Sequence, residues 1–288
     1  MEQTMLERFR DSLICHGASK NTIENYLRNV GLYIKWHEQS TGVPFDGRVT
    51  EFDAREYKSY LNTILKQAPA TINAKLTAIQ KFADFLCESG SQDAVKVAKQ
   101  RMVKIPDVKV LDRSSLYKCR RWVHAYGSKR DIAIFEVLLN AGLRESELAY
   151  AELPDLYLSD RKGRLVIRHG KGGKIRTVPL NADARKALSE YLQVRQADGE
   201  NRIFVGQCGP IGRSGIYKII VKIGHQGAGV ELWPHMLRHQ CFTAMANAGV
   251  DLGTIAAIAG HDDPKTTNTY YVAHSNEKQE DAINNLHF

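Results

Sequence analysis

Apolar residues recur at helical spacing through the first third of the chain. Leu6, Phe9 and Leu13 form one stripe, and Ile23, Tyr26, Leu27, Val30, Tyr33 and Ile34 form a second behind the capping candidates Ser19 and Asn21. A third helix is predicted to start near Thr50 or Asp53 and to run through Tyr57, Tyr60, Leu61 and Ile64. A fourth follows Pro69 with Thr71 as its cap, carries Ile72, Leu76, Ile79, Phe82, Phe85 and Leu86, and stops at Gly90. Amphipathic helices of this kind bury their stripes against one another, so residues 1–100 read as a small helical bundle.

Between residues 95 and 113 the pattern breaks. Lys96, Lys99, Arg101, Lys104, Lys109 and Arg113 outnumber Asp107 and Asp112, and Pro106 interrupts any helix, which predicts a basic connector over 101–112. Such connectors are usually solvated, and one this basic could also lie along phosphates. Beyond it, helices are predicted over Ser114–Ala125 and Lys129–Asn140, the second stopped by Gly142, with another opening at about Arg144. The period then switches. Arg164–Arg168 and Ile175–Leu180 are rich in β-branched residues and flank the glycine-rich His169–Lys174, which predicts an antiparallel hairpin. Helices return over Asp183–Gln196, Ser214–Ile223, Pro234–Ala248 and Leu252–Ala259, then over Thr266–Val272 and Asn276–Leu286. The expected fold is mainly α with a small antiparallel β-sheet: a helical bundle, the connector, and a mixed α/β domain over 113–288.

The 288 residues, 43% hydrophobic and 25% charged, suffice for two ordinary cores and exclude a disordered chain. Lys and Arg total 40 against 32 for Asp and Glu, and the formal charge of +8 favours a polyanionic partner. Cys15, Cys87, Cys119, Cys208 and Cys241 are scattered without a C-x-x-C pair, so neither a disulfide framework nor a thiolate zinc site is legible. No apolar run approaches the roughly 18–20 residues of a membrane span. A cytoplasmic protein without membrane contact is expected.

Five short segments of the second part, AGLRESEL, HGKGGK, PHMLRH, IAGHDD and TTNTYY, carry candidate chemistry. Arg144 follows the helix-stopping Gly142 and opens the next helix, a place suited to anion capture; its bland alternative is an i, i+3 pair with Glu147. His235 and Arg238 share one face of a helix opened by Pro234 and can reach a common target. His239 shares that face, and the His235–His239 spacing resembles a zinc helix but lacks its intervening glutamate, so no metal is expected. Lys171 lies among Gly170, Gly172 and Gly173, where the backbone can approach a ligand closely. The pattern of a nucleotide-binding P-loop is absent there.

Taken in order, these segments resemble the tyrosine recombinase family, the phage integrase and Xer group. The likeness spans roughly residues 110–275 and extends more weakly to SKNTIENYLRNV and ATINAKLTAIQKFADF in the bundle. It implies a SAM-like core-binding domain and a catalytic domain that together form a C-shaped clamp on double-stranded DNA. It also implies six catalytic residues: Arg144, Lys171, His235, Arg238, His261 and Tyr270, with Glu147 in support. Tyr270 fits the family spacing from His261 and Tyr271 comes one residue late; successive helical residues point about 100° apart, so only one phenol would face the arginines. Lys75, Lys99, Arg101, Lys104 and Lys174 are further candidates for DNA contact.

The implied reaction is attack of Tyr270 on a DNA phosphodiester, giving a 3′-phosphotyrosyl link and a free 5′ hydroxyl, then strand exchange through a Holliday junction with no metal, ATP or other cofactor. The arginines would stabilise the transition-state charge, His235 would act as base and Lys171 as acid. The plan matches minimal Xer-like enzymes and transposon cointegrate resolvases, acting as a homotetramer on two sites in the nucleoid, with or without accessory sites or proteins. A phage-type integrase, a type IB topoisomerase-like enzyme and a non-catalytic DNA-binding regulator are the alternatives. The last segment, with Ala282, Ile283, Leu286 and Phe288, has an apolar stripe with little chain left to cover it, and the resemblance suggests docking on a neighbouring protomer. Deleting the residues after Asn276 is expected to abolish cooperative assembly on DNA in a gel-shift titration, and unchanged cooperativity would refute the docking.

Overall fold

The computed structural model describes residues 2–101, 110–168, 170, 174–196 and 199–260. The chain divides into two compact units, Met1–Ile105 and Pro106–Phe288. The first holds α1 (Glu2–Cys15), α2 (Lys20–Thr41), α3 (Glu51–Thr63) and α4 (Pro69–Glu88). Ser19 caps α2 by accepting the Thr22 N–H, and Thr50 caps α3 by accepting that of Asp53. The start of α4 departs from expectation. Pro69 is itself the first helical residue, preceded by Ala68 without a side-chain cap, and Thr71 lies inside the helix. Proline has no N–H to leave unsatisfied and a φ already fixed for the first turn, so the side-chain cap is dispensable.

The apolar stripes converge on Phe9, Tyr33, Tyr57, Leu61, Ile72, Leu76 and Phe82, all nearly or wholly buried. The Phe9 ring meets Phe82 edge-on at 5.2 Å between centroids, and Tyr33 meets Tyr57 at 5.3 Å. Residues 95–100, connector-like in composition, belong to this bundle. Gln80 of α4 donates to the Val95 carbonyl and accepts the Val97 N–H, while Asn73, two turns earlier on the same face, does both for Gln100. Val97 is thereby drawn into the core.

The second unit is built around α6 (Lys129–Ala141), buried on almost every side. It packs against α5 (Arg113–Tyr126), α8 (Ala182–Val194) and α10 (Pro234–Asn247). Within this apolar shell Glu136 is fully buried and ionically satisfied: both its oxygens accept from Arg120, and His124 and Asn140 complete the set. The short α7 (Glu145–Ala149), α9 (Arg213–Ala228) and α11 (Leu252–Ala259) complete the described α-helices of this unit.

The expected hairpin is part of a three-stranded sheet. A strand absent from the sequence reading, β1 (Leu156–Leu158), pairs antiparallel with β2 (Gly163–Ile167), which pairs antiparallel with β3 (Arg176–Pro179). Three residues are too few for a period to register. A further minimal pair, β4 (Val205–Gly206) and β5 (Gly209–Pro210), lies between α8 and α9. Leu165, Ile167 and Val178 face the core, alternating with exposed Arg164 and Thr177. The helices expected over Thr266–Val272 and Asn276–Leu286 lie outside the described residues.

Gly142 ends α6 in the left-handed region at φ 59°, and a Cβ built there would lie 2.7 Å from the Phe242 ring of α10. Gly142→Ala therefore combines backbone strain with overpacking and is expected to cost roughly 2–4 kcal/mol in urea unfolding. A loss below about 0.5 kcal/mol would mean that the turn relaxes freely.

Candidate active site

Three segments far apart in sequence meet at one carboxylate. Glu147 is the third residue of α7, and its side chain is fully buried. Its Oε2 accepts the backbone N–H of Arg144, the residue that caps the helix, at 2.8 Å, which is half of a capping box. Its Oε1 accepts from the Arg144 guanidinium at 2.7 Å. From β3, Arg176 donates to both carboxylate oxygens at 2.8 Å each, the bidentate geometry peculiar to arginine. Arg238 of α10, wholly buried, brings Nη1 to 4.0 Å from Oε2. Burial alone would raise the Glu147 pKa; the Arg176 hydrogen bonds, the Arg144 N–H and the surrounding charges outweigh it and hold the carboxyl below its ordinary value.

The same three arginines share a second set of acceptors. Arg176 Nε donates to the Ile258 carbonyl at 2.9 Å, Arg238 Nη2 to Ala259 at 2.7 Å and Arg144 Nη2 to Gly260 at 3.2 Å. These are the last carbonyls of α11 and of its glycine cap, groups that no helical N–H can satisfy, at the end where the helix dipole favours cations. Gly260 is left-handed at φ 61°, and a Cβ there would stand 3.1 Å from the Arg176 side chain. Arg238 also donates to the Gly142 carbonyl, joining the end of α6 to the cluster.

His235 lies in the first turn of α10, three residues before Arg238. Its pKa is lowered, first by partial burial and then by the Arg238 and Arg144 charges, with Glu145 opposing. The imidazole is accordingly neutral at pH 7 and able to accept a proton. The His239 ring packs edge-on against it at 4.3 Å and is held at a pKa of about 4, first by burial and then by its neighbours His235 and Arg238. Among the described residues no group of three or more His, Cys, Asp or Glu side chains could hold a metal ion.

The structure therefore brings Arg144, Glu147, His235 and Arg238 together. The sequence reading has Arg238 on one helix face with His235, able to reach a common target; here it is buried and its terminal nitrogens engage carbonyls. Lys171, His261 and Tyr270 lie outside the described residues, as does Lys104. Lys174 is exposed just before β3, and Lys99 and Arg101 are exposed after α4. Lys75 is half-buried on α4, its pKa lowered by burial and by Arg28. The sequence reading missed Arg176, although a signal was present. Strand alternation puts it on the face of buried Val178, and an arginine on the inward face of a strand needs an anion.

The phage integrase family profile matches residues 116–278, and that of the phage integrase N-terminal SAM-like domain matches residues 5–90. The chain is a tyrosine recombinase of the phage integrase family. Among relatives of this recombinase, the TnP I resolvase of Bacillus thuringiensis is 29% identical over 275 residues, covering 92% of this chain and 93% of that protein. Tyrosine recombinase XerA of Thermococcus onnurineus is 28% identical over 287 residues, covering 96% and 95%. In fold, the recombinase resembles XerH bound to palindromic difH substrate in a post-cleavage complex, at 18% identity and a TM-score of 0.75 over 93% of this chain and 80% of that one. It also resembles the Tn1549 transposon integrase in complex with circular intermediate DNA, at 19% identity and a TM-score of 0.71 over 98% and 99%. No described helix is long and apolar enough to cross a membrane.

Because the Glu147 pKa is depressed in the folded protein, its contribution to stability is present above its ordinary value of 4.5 and is lost as pH falls through the folded value. Glu147→Gln leaves buried guanidinium charge uncompensated and is expected to cost about 3–5 kcal/mol at neutral pH. It should also flatten the fall in unfolding free energy below pH 4.5. Chemical denaturation across pH checks both; an unchanged acid slope would show that Glu147 is not the group responsible.

Proposed function

We propose that the protein cuts and rejoins double-stranded DNA through a 3′-phosphotyrosyl intermediate. The observation that carries this reading is the gathering of Arg144 and Arg238 around one buried carboxylate, with His235 close enough to both arginines for their charges to lower its pKa. Arg144 and Arg238 serve the non-bridging oxygens of the scissile phosphate, Arg238 on release of the carbonyls that hold its terminal nitrogens here, and the extra charge of the transition state strengthens the interaction. A phenol has a pKa near 10, so Tyr270 needs that cationic field and a base, the role assigned to His235. The Tyr270 oxygen bonds to phosphorus as the 5′ oxygen departs; Lys171 protonates the leaving oxygen, and His261 hydrogen-bonds the phosphate. One phosphate ester replaces another, so reversal on a new partner strand reseals DNA without ATP.

Pairwise exchange of strands in this way passes through a Holliday junction and requires two duplex sites, each bound by two protomers in a homotetramer. Phosphate contacts from Lys75, Lys99, Arg101, Lys104 and Lys174 supply salt-dependent affinity. The biological task we favour is resolution of cointegrates or dimers of a mobile element, plasmid or chromosome, supported by similarity to a resolvase along nearly the whole chain. Similarity in fold to a transposon integrase favours integration and excision as the second reading.

The test is denaturing electrophoresis of the protein with nicked suicide duplexes drawn from DNA flanking its own gene, in EDTA, beside Tyr270→Phe. A slow-migrating adduct that vanishes in the variant is expected. Tight binding without adduct on any duplex would favour a non-catalytic regulator. An adduct that survives Tyr270→Phe would move the nucleophile to another residue, and relaxation of plasmids lacking any site would favour a topoisomerase.

A further inference from the structure

Arg176 is an arginine without an assignment in the reaction, yet it is the strongest partner of the central carboxylate. It takes both oxygens of Glu147, leaves Nε for the Ile258 carbonyl, and packs against Gly260 with its side chain 11% exposed. Arg144, by comparison, spends one terminal nitrogen on Glu147 and one on Gly260, and its side chain is 23% exposed. Three guanidinium charges thus surround one carboxylate, and of the two arginines that hydrogen-bond it the more buried is that of β3.

From this geometry we propose that Arg176 is a positioning residue for strand cleavage. It neutralises Glu147 so that the charges of Arg144 and Arg238 remain available to a phosphodiester, and it holds the end of α11 in register with them. The inference rests on the phosphate-binding role given above to Arg144 and Arg238. In this role Arg176 acts through Glu147 and the end of α11. Without it, Glu147 would be balanced by Arg144 at close range and by Arg238 at 4.0 Å, and the excess positive charge facing a dianionic transition state would fall by one guanidinium.

The charged groups that face Glu147 are Arg144 from its own helix cap, Arg176 from β3 and Arg238 from α10. His235 on α10 stands beside Arg144 and Arg238, and α9 contributes Arg213, which pairs with Glu145 instead. Removing Arg176 takes away the largest influence that opposes the effect of burial on Glu147, so the carboxyl should gain a proton at a higher pH than before. A protonated Glu147 no longer fixes Arg144, and cleavage should fail on the acid side first.

The experiment measures single-turnover adduct formation on the nicked duplex from about pH 5 to pH 8. It compares wild type, Arg176→Met, Arg176→Lys and Arg144→Ala, with duplex affinity measured in parallel. Arg176→Met is expected to slow cleavage by roughly 100-fold at neutral pH, to leave affinity within about 3-fold, and to move the acid limb up by about one pH unit. Arg176→Lys keeps the charge and loses the fork, so it should recover much of the rate and shift the limb in the same direction by less. Cleavage within about 3-fold of wild type in Arg176→Met, or a loss equal at every pH, overturns the inference. Should Arg176→Met not fold, an unmoved acid limb in Arg176→Lys overturns it equally. Wild-type rates in Arg144→Ala would instead refute the phosphate-binding reading, and a slow Arg144→Ala beside an unaffected Arg176→Met would refute the role of Arg176 alone.

Discussion

A carboxylate taken fully out of water survives as an anion only if cations and N–H groups replace its hydration, and the catalytic unit is organised by meeting that requirement at Glu147. The cap of α7, strand β3 and helix α10 each contribute an arginine, and none of these elements can shift without leaving a buried charge poorly compensated. The arginines in turn reach the closing carbonyls of α11. Helix end, strand, cap and turn are thereby coupled through hydrogen bonds of ordinary length rather than through apolar packing alone. Guanidinium charge held in place in this way suits the phosphate-binding role proposed above, because stabilisation of a transition state favours charge already in position.

The buried Glu136 shows the same principle used to a different end. Its partners Arg120 and His124 come from α5, and Asn140 from its own helix one turn on. Arg120 also reaches Asp183 at the start of α8, so the network runs from the buried carboxylate out to the surface. Glu136 lies near the middle of α6 and Glu147 in α7, beyond the glycine that ends α6.

Much of this was legible in the residues. The helical stripes of the bundle, the stop at Gly142, the helix opened by Pro234 and the strand pair around the glycine-rich turn all follow from period and punctuation, because each is long enough or sharply enough bounded to leave a pattern. What escaped was set by short range or by tertiary context. Leu156–Leu158 is too brief to alternate visibly, and Pro69 made a cap unnecessary where Thr71 looked like one. Arg144 and Glu147 were paired correctly by spacing, but spacing along one helix could not reveal that the carboxylate is shared with Arg176, twenty-nine positions away. Nor could it reveal that Arg238 is buried to the last atom, since the acceptors that make such burial tolerable are backbone carbonyls from α6 and α11.

Those acceptors have a further meaning for how the sequence can drift. The arginines grip Ile258, Ala259 and Gly260 by main-chain oxygens, which every amino acid possesses. Side chains at positions 258 and 259 answer only to packing, so their identity is free to wander within limits of size while the grip persists. The length of the segment has no such freedom: adding or removing one residue in the last turn of α11 would rotate each carbonyl by about 100° away from its guanidinium. Relatives of this chain could therefore diverge widely in the letters written here and still be held to the same count.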